Sequence, residues 1–424
     1  MLRMLGADLS QPARDLTLIG IGAFVLAGFF GLIGSFASAI AGLIGLVSLT
    51  AFAAGRIALP ANRLVTWMSA LILLYVLAGF LGLAMHPGDK SNLETALMRC
   101  AFLFYLPLVS LLTVLDHTRL LRTIELGAAI GAIATAAYVV FELAFLHDRA
   151  WGGAGNPGPF ATVLAAQFTV CLLAAFRHAG SRRIILLAGS AAAAFCVIAS
   201  GMRTALPVLV LLPVGLALSL LFRRPELAST DASPPAPPRN LVLLAGFALV
   251  LAIAAASQDR LRELPGELAQ ISAHGGMNHS LGHRVAIWHY ASETLPDSWL
   301  TGIGQDAASD GLAAFTRARY GFELNKSHMH NIMLTALLRG GIFDLVANLA
   351  LLFSPLLLLL AGARSGARAE GLQLIGALFL PYFLMAMLNL AFGHDVLDFY
   401  FVFMLAAGSV IAFLPDDPPR YAAT

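Results

Sequence analysis

The residues with the most chemical capacity gather between positions 257 and 340. This stretch holds Arg260, Arg262, Arg284, Arg317, Arg319, Lys326 and Arg339, and six of the eleven histidines: His274, His279, His283, His289, His328 and His330. A guanidinium stays charged and offers a planar fork that binds anionic oxygens in pairs, so the set points to an anionic partner. A histidine, with an unperturbed pKa of about 6.5, can take a proton near neutral pH. His328 and His330, with His283, also invite a metal reading. No Asp, Glu or Cys spacing completes a recognised ligand set, and residues two apart cannot share one helix face. No metal and no cofactor is therefore expected. For any one of these charges, a solvated cap with scattered surface arginines is the plainer reading; their combination argues against it.

Local pattern supplies elements to hold these side chains. Leu281, Val285, Trp288, Ala291 and Leu295 recur in steps of three and four, which predicts a helix over 281–295 carrying Arg284 one turn before Trp288. Gly302-Ile303-Gly304 breaks the chain. Ser309 or Asp310 can cap a helix through 311–319. A further helix is expected to follow Asn331 and stop at Gly340-Gly341, as an interfacial element leading into the membrane.

The rest of the chain reads as membrane. Of 424 residues 59% are hydrophobic and 12% charged, with mean hydropathy +0.81; soluble domains run to about 25% charged. This excludes a nucleic-acid binder, a disordered protein and an ordinary cytosolic enzyme. Apolar runs long enough to span fall at 16–34, 36–54, 65–84, 97–115, 124–146, 159–176, 184–202, 204–222, 241–256, 341–362, 370–391 and 398–414. They lack the alternation of barrel strands, so the expected fold is an all-α polytopic membrane protein of about 12 transmembrane helices. The three expected parts are 1–256 with nine spans, the partly helical loop 257–340, and 341–424 with three spans and a short tail.

Charge placement orients the bundle. With the N-terminus inside, the inner segments carry Arg3, Arg14, Arg56, Arg63, Arg119, Arg122, Arg177, Arg182, Arg183, Arg223, Arg224, Arg239, Arg364, Arg368 and Arg420. The short outer loops hold only Lys90 and Arg149, with Arg99 and Arg203 near outer helix ends. Both termini are then cytoplasmic and the 257–340 loop lies outside. Residues 1–15 do not read as a cleaved signal, since the apolar run after Arg14 far exceeds a signal's core. Residues 229–238 have linker composition. Cys100, Cys171 and Cys196 fall within apolar spans and read as packing residues.

At Ser200-Gly201-Met202-Arg203, His283-Arg284 with Ile287-Trp288, Leu295-Pro296 through Gly302-Ile303-Gly304, and His328-Met329-His330-Asn331 followed by Leu334 and Gly340-Gly341, the sequence resembles the O-antigen ligase and O-antigen polymerase family. The resemblance implies a GT-C-like, metal-independent inverting glycosyltransferase of the bacterial inner membrane. Its donor would be a glycan on undecaprenyl diphosphate, taken at the periplasmic face, and a ligase's acceptor would be the lipid A–core oligosaccharide. Arg203 and Arg284 match the diphosphate-binding positions, with Arg99 as a further phosphate contact. His330 matches the general base, and Asn331, His328 and Trp288 would line the substrates. The chain departs from the family pattern in carrying Arg339 where relatives commonly have an acidic residue.

Besides membrane lipids, the expected partners are thus a lipid-linked glycan and a glycolipid, and no nucleic acid. A polymerase of the same family is the near alternative. A lipid-linked glycan transporter is the alternative of a different class; it would need intramembrane charges lining a path between both faces, whereas most arginines here sit at the inner span ends. His394, Asp395 and Asp398, in the last outer loop, are expected to approach the site from its other side.

Overall fold

The computed structural model describes residues 11–55, 57, 60–222, 265–266, 269 and 277–416. Arg3, Arg56, Arg223, Arg224, Arg239, Arg260, Arg262, His274 and Arg420, the linker at 229–238 and the expected span at 241–256 lie outside the described residues. Within them all regular structure is helical: α1 Gln11–Gly28, α2 Phe30–Ile33, α3 Ser35–Ala53, α4 Arg63–Met85, α5 Lys90–Arg99, α6 Tyr105–Leu112, α7 His117–Phe145, α8 Pro157–Ala175, α9 Gly180–Ala199, α10 Leu206–Phe222, α11 Ser280–Ser298, α12 Gln305–Tyr320, α13 Ile332–Ser365, α14 Ala369–Leu388 and α15 Asp395–Phe413.

Nine of the described helical segments are long and apolar enough to cross a membrane. They match nine of the twelve expected spans. Two more expected spans, at 16–34 and 204–222, are present as shorter apolar helices, Leu16–Gly28 and Leu206–Leu216. The span expected at 97–115 is instead a composite of α5, a 3-10 turn at Cys100–Phe104 and α6. It starts earlier because Asp89 caps α5, accepting the Asn92 N–H at 2.7 Å.

Helices α8 and α15 form the centre and are buried on nearly every face, as expected of helices that are apolar all round. Helices α7 and α9 pack beside α8, α14 lies between α8 and α15, and α4 pairs with α13. The α1–α7 crossing runs on bare backbone: a Cβ on Gly131 would lie 2.1 Å from the Gly28 carbonyl oxygen, and one on Gly28 would lie 1.9 Å from that of Gly127. Such a site cannot take a methyl group without moving a helix. We expect Gly131→Ala to lower stability by about 1–3 kcal/mol, read as an earlier loss of monodisperse protein on heating in detergent; an unchanged midpoint would refute the close packing.

The helices alternate direction, so the bundle has two chemically distinct ends. At one, Asn62 caps α4 and donates to the Phe413 carbonyl at 2.8 Å, and the Glu125 carboxylate accepts from Arg177 and Arg182 at 2.5 Å and from His178 at 2.9 Å. Arg63, Arg119, Arg122, Arg364 and Arg368 start or finish helices at this same end. At the other end lie the C-termini of α4, α7, α9 and α14, the N-termini of α5, α8 and α15, and the segment 277–340. The arginine-rich end and the histidine-rich segment are therefore opposite poles of the bundle.

Candidate active site

The 277–340 segment builds a small body on that end of the bundle. Helix α11 extends beyond the expected 281–295, with His279 as N-cap accepting the Gly282 N–H at 3.2 Å. Its inner face, Ile287, Tyr290 and Ala291, packs on Ala308 and Leu312 of α12 and on Leu324, Met329 and Leu338. Helix α12 starts at Gln305, not after Ser309 or Asp310. Its first N–H groups are served from the bundle: Asn92 Oδ1 accepts from Gln305 N at 3.3 Å and Asp89 Oδ2 from Asp306 N at 3.0 Å. Asp306 in turn accepts from Lys90 N at 2.9 Å and the Ser91 hydroxyl at 2.5 Å. Two helix N-termini thus cap each other reciprocally, while Ser309 donates to the Lys326 carbonyl at 2.9 Å.

The Gly-x-Gly break is docked against a second glycine pair. Ile303 N donates to the Leu338 carbonyl at 2.7 Å, and a Cβ on Gly341 would lie 2.1 Å from the Leu300 carbonyl oxygen. Within α13, Gly340 and Gly341 leave helical geometry, Gly341 with φ = +67°. The expected short helix after Asn331 is therefore present and ends at this kink, beyond which α13 continues as a span. Asn331 caps it, accepting from Met333 N at 2.8 Å and Leu334 N at 3.1 Å, while its amide donates to the Met387 carbonyl at 3.0 Å. With both ends of its side chain engaged, Asn331 acts by fixing the loop.

That fixing matters for the residue before it. His330 has φ = +46°, and among the described residues it alone occupies the left-handed region without being glycine. A strained histidine conformation survives only where its surroundings enforce it, and such outliers collect at functional sites. Two residues earlier, His328 hydrogen bonds Asn389 Oδ1 at 2.7 Å and meets the Ser327 hydroxyl at 3.3 Å. The two imidazole rings are 4.7 Å apart, edge to face. Both nitrogens of His328 are committed, whereas neither nitrogen of His330 has a hydrogen-bond partner among the described residues.

The cations complete the arrangement. Arg284, half-buried on α11, is pushed below the ordinary guanidinium range by burial and then by the charge of Arg203. His330 is pushed down to about 3 by burial, and further by His328, Lys326, Arg284 and His283 in decreasing order. Arg203, exposed after α9, and Arg284 have no ion-pair partner among the described residues. The site thus sets Arg284 and Lys326 beside a neutral imidazole, with Arg203 close to Arg284. Because anions are favoured beside such unpaired guanidinium charges, this geometry suits binding of a diphosphate next to a base.

Other expected site residues are placed differently. Trp288 is 51% exposed on the outward face of α11. His283 turns to Asn278 Oδ1 at 3.2 Å and against Phe322. No group of three His, Cys, Asp or Glu able to hold a metal is found among the described residues. Asp398 is buried and accepts the Gly393 N–H with both oxygens at 3.1 Å, which turns it away from the approach expected of it.

Arg99, expected to meet donor phosphate, is a correction: it is 0% exposed. Its guanidinium donates to Asp344 Oδ1 at 2.5 Å and to the Tyr75 carbonyl at 3.1 Å, and lies 4.3 Å from the centre of the Tyr75 ring. Asp344 was not singled out from the sequence, although an acid inside the apolar run after Gly340-Gly341 is itself a signal. It also accepts from Arg339 Nε at 2.7 Å, so Arg339 has its acidic partner five residues downstream.

Residues 186–349, which include Arg203, Arg284, His328, His330, Arg339 and Asp344, match the O-antigen ligase family (Wzy_C) that the motifs resemble. No curated protein matches the chain.

Proposed function

We propose, from this O-antigen ligase match, that the protein joins a lipid-diphosphate-linked glycan to the lipid A–core oligosaccharide at the periplasmic face of the inner membrane, with both termini in the cytoplasm. The observation that carries the reading is a strained, unpaired His330 beside Arg284, which in turn lies near Arg203, with no carboxylate acting on either. Arg203 and Arg284 bind the diphosphate. His330 takes the proton of the acceptor hydroxyl as its oxygen forms a bond to the anomeric carbon. The bond from that carbon to the phosphate oxygen breaks, the configuration inverts, and lipid diphosphate leaves with one more negative charge. Arg99 takes no part in donor contact, and His328, its ring against that of His330, stands at the substrate edge.

Charge balance at the site makes a pH prediction. Before donor binds, His330 at about 3 is neutral across the range of about pH 5 to 8 where histidines ordinarily titrate. A bound diphosphate reverses the sign of its nearest field and favours the imidazolium, so its pKa rises in the complex. The expected result is a kcat that falls on the acid side while kcat/KM, which reports the free enzyme, stays flat to lower pH. Coincident acid limbs at neutral pH would oppose this coupling.

Purified protein in nanodiscs, given undecaprenyl-diphosphate glycan and lipid A–core, should form product in excess EDTA at the rate seen without chelator. A strict divalent-ion requirement would overturn the metal-independent mechanism. In a deletion strain, long glycan retained on the lipid carrier and missing from lipid A–core supports ligation; accumulation of single repeat units would assign polymerisation instead.

A further inference from the structure

The buried charges beneath the site do something that donor binding does not require. Asp344 is 2% exposed and both its oxygens are engaged: Oδ1 takes Arg99 at 2.5 Å and Asn348 at 2.9 Å, and Oδ2 takes Arg339 at 2.7 Å. Two guanidiniums share one carboxylate, and the Arg99 Nε has no partner among the described residues. Such a cluster in an apolar bundle is costly to assemble, and replacing it with packed hydrocarbon is often neutral or stabilising. Stability alone therefore does not account for it.

Its placement does. Arg339 and Asp344 stand on either side of the Gly340-Gly341 kink, so their 2.7 Å bond bridges the bend. Arg99 holds the span side of that bend to α5, and through Tyr75 to α4. A Cβ on Gly82 of α4 would lie 3.9 Å from the Gly340 Cα, and Ile303 N hydrogen bonds the Leu338 carbonyl directly above the bend. The rigid piece between bend and cap is two turns of helix, 332–339, and His330 sits at its far end. The angle of the bend therefore sets where the imidazole lies relative to Arg284, which is carried on a different helix.

We propose that Arg99, Asp344 and Arg339 form a positioning strap across the Gly340-Gly341 bend that sets His330 at its working distance from the donor site. The proposal rests on His330 being the base. Its residues touch no substrate; they act through the 332–339 helix.

The test is Arg339→Gln in full-length protein in nanodiscs, a change that leaves Arg99 and Asp344 as a one-to-one pair and so does not strand a buried charge. Undecaprenyl diphosphate should bind within about twofold of the parent, because Arg203 and Arg284 are untouched. The kcat should fall by between about tenfold and a hundredfold, the range a misplacement of about 1 Å produces. Arg339→Lys should recover part of the loss, and hydrogen exchange of the 332–339 amides should quicken in Arg339→Gln. Combined with His330→Ala, Arg339→Gln should cost no further activity, since both act on one group. A folded Arg339→Gln protein with parental kcat and unchanged exchange at 332–339 overturns the strap, as does an undiminished further loss on top of His330→Ala. If His330→Ala alone keeps full transfer, the base assignment fails while faster exchange at 332–339 still identifies the strap.

Discussion

Replacing His330 with alanine is expected to reduce glycan transfer by about 10²–10⁴-fold, the contribution of a positioned general base, while undecaprenyl diphosphate still binds. Three features converge on this residue. Its backbone is held at φ = +46° by a cap immediately after it; its ring nitrogens are uncommitted, unlike those of His328; and burial with surrounding cations keeps it neutral. Loss of the imidazole leaves the Arg203–Arg284 pair intact, so the defect should appear in kcat, with the donor dissociation constant little changed. His328→Ala should be milder, because His328 braces Asn389 and does not face the acceptor with a free nitrogen. Transfer at parental rate by His330→Ala would remove the base from the mechanism.

Arg284→Ala and Arg203→Ala are expected to produce the second large loss. A charge-assisted hydrogen bond to phosphate contributes about 1.5–3 kcal/mol, or roughly tenfold to more than a hundredfold per arginine in kcat/KM. Arg284 is half-buried, so its bond is screened less than that of exposed Arg203 and its loss should be the greater. Lysine should restore charge but not the paired geometry, and hence only part of the rate. The departing diphosphate gains charge as the bond breaks, so both alanine variants should lower kcat as well as weaken donor binding. Normal turnover in either would detach that arginine from the diphosphate.

Much of this was legible in the sequence because it is local. Apolar runs of about twenty residues define spans without knowledge of their neighbours, and each of the eleven runs among the described residues overlaps an apolar helix, nine of them long enough to span. The helix after Asn331, its end at the glycine pair and the break at Gly302-Ile303-Gly304 were likewise readable from cap and breaker chemistry. What escaped was long-range. The start of α12 is fixed by Asp89 and Asn92, more than two hundred residues away, so local capping pointed wrongly to Ser309 or Asp310. Arg99 looked available to phosphate because it stands near an outer helix end; its partner, Asp344, lies 245 residues further along the chain. That single pairing moved Arg99 out of the donor site and gave Arg339 a role.

The Arg99–Asp344 pair also bears on how the chain is made. A membrane protein is threaded into the bilayer from its N-terminus, and Arg99 enters 245 residues ahead of its carboxylate. Until Asp344 arrives, that guanidinium has no countercharge at its depth and stays drawn toward the lipid headgroups. The α5 segment can therefore take its final depth only once the chain has been made through Asp344. Closure of the bundle and completion of the site become one late event, and a nascent chain cut short before residue 344 carries neither.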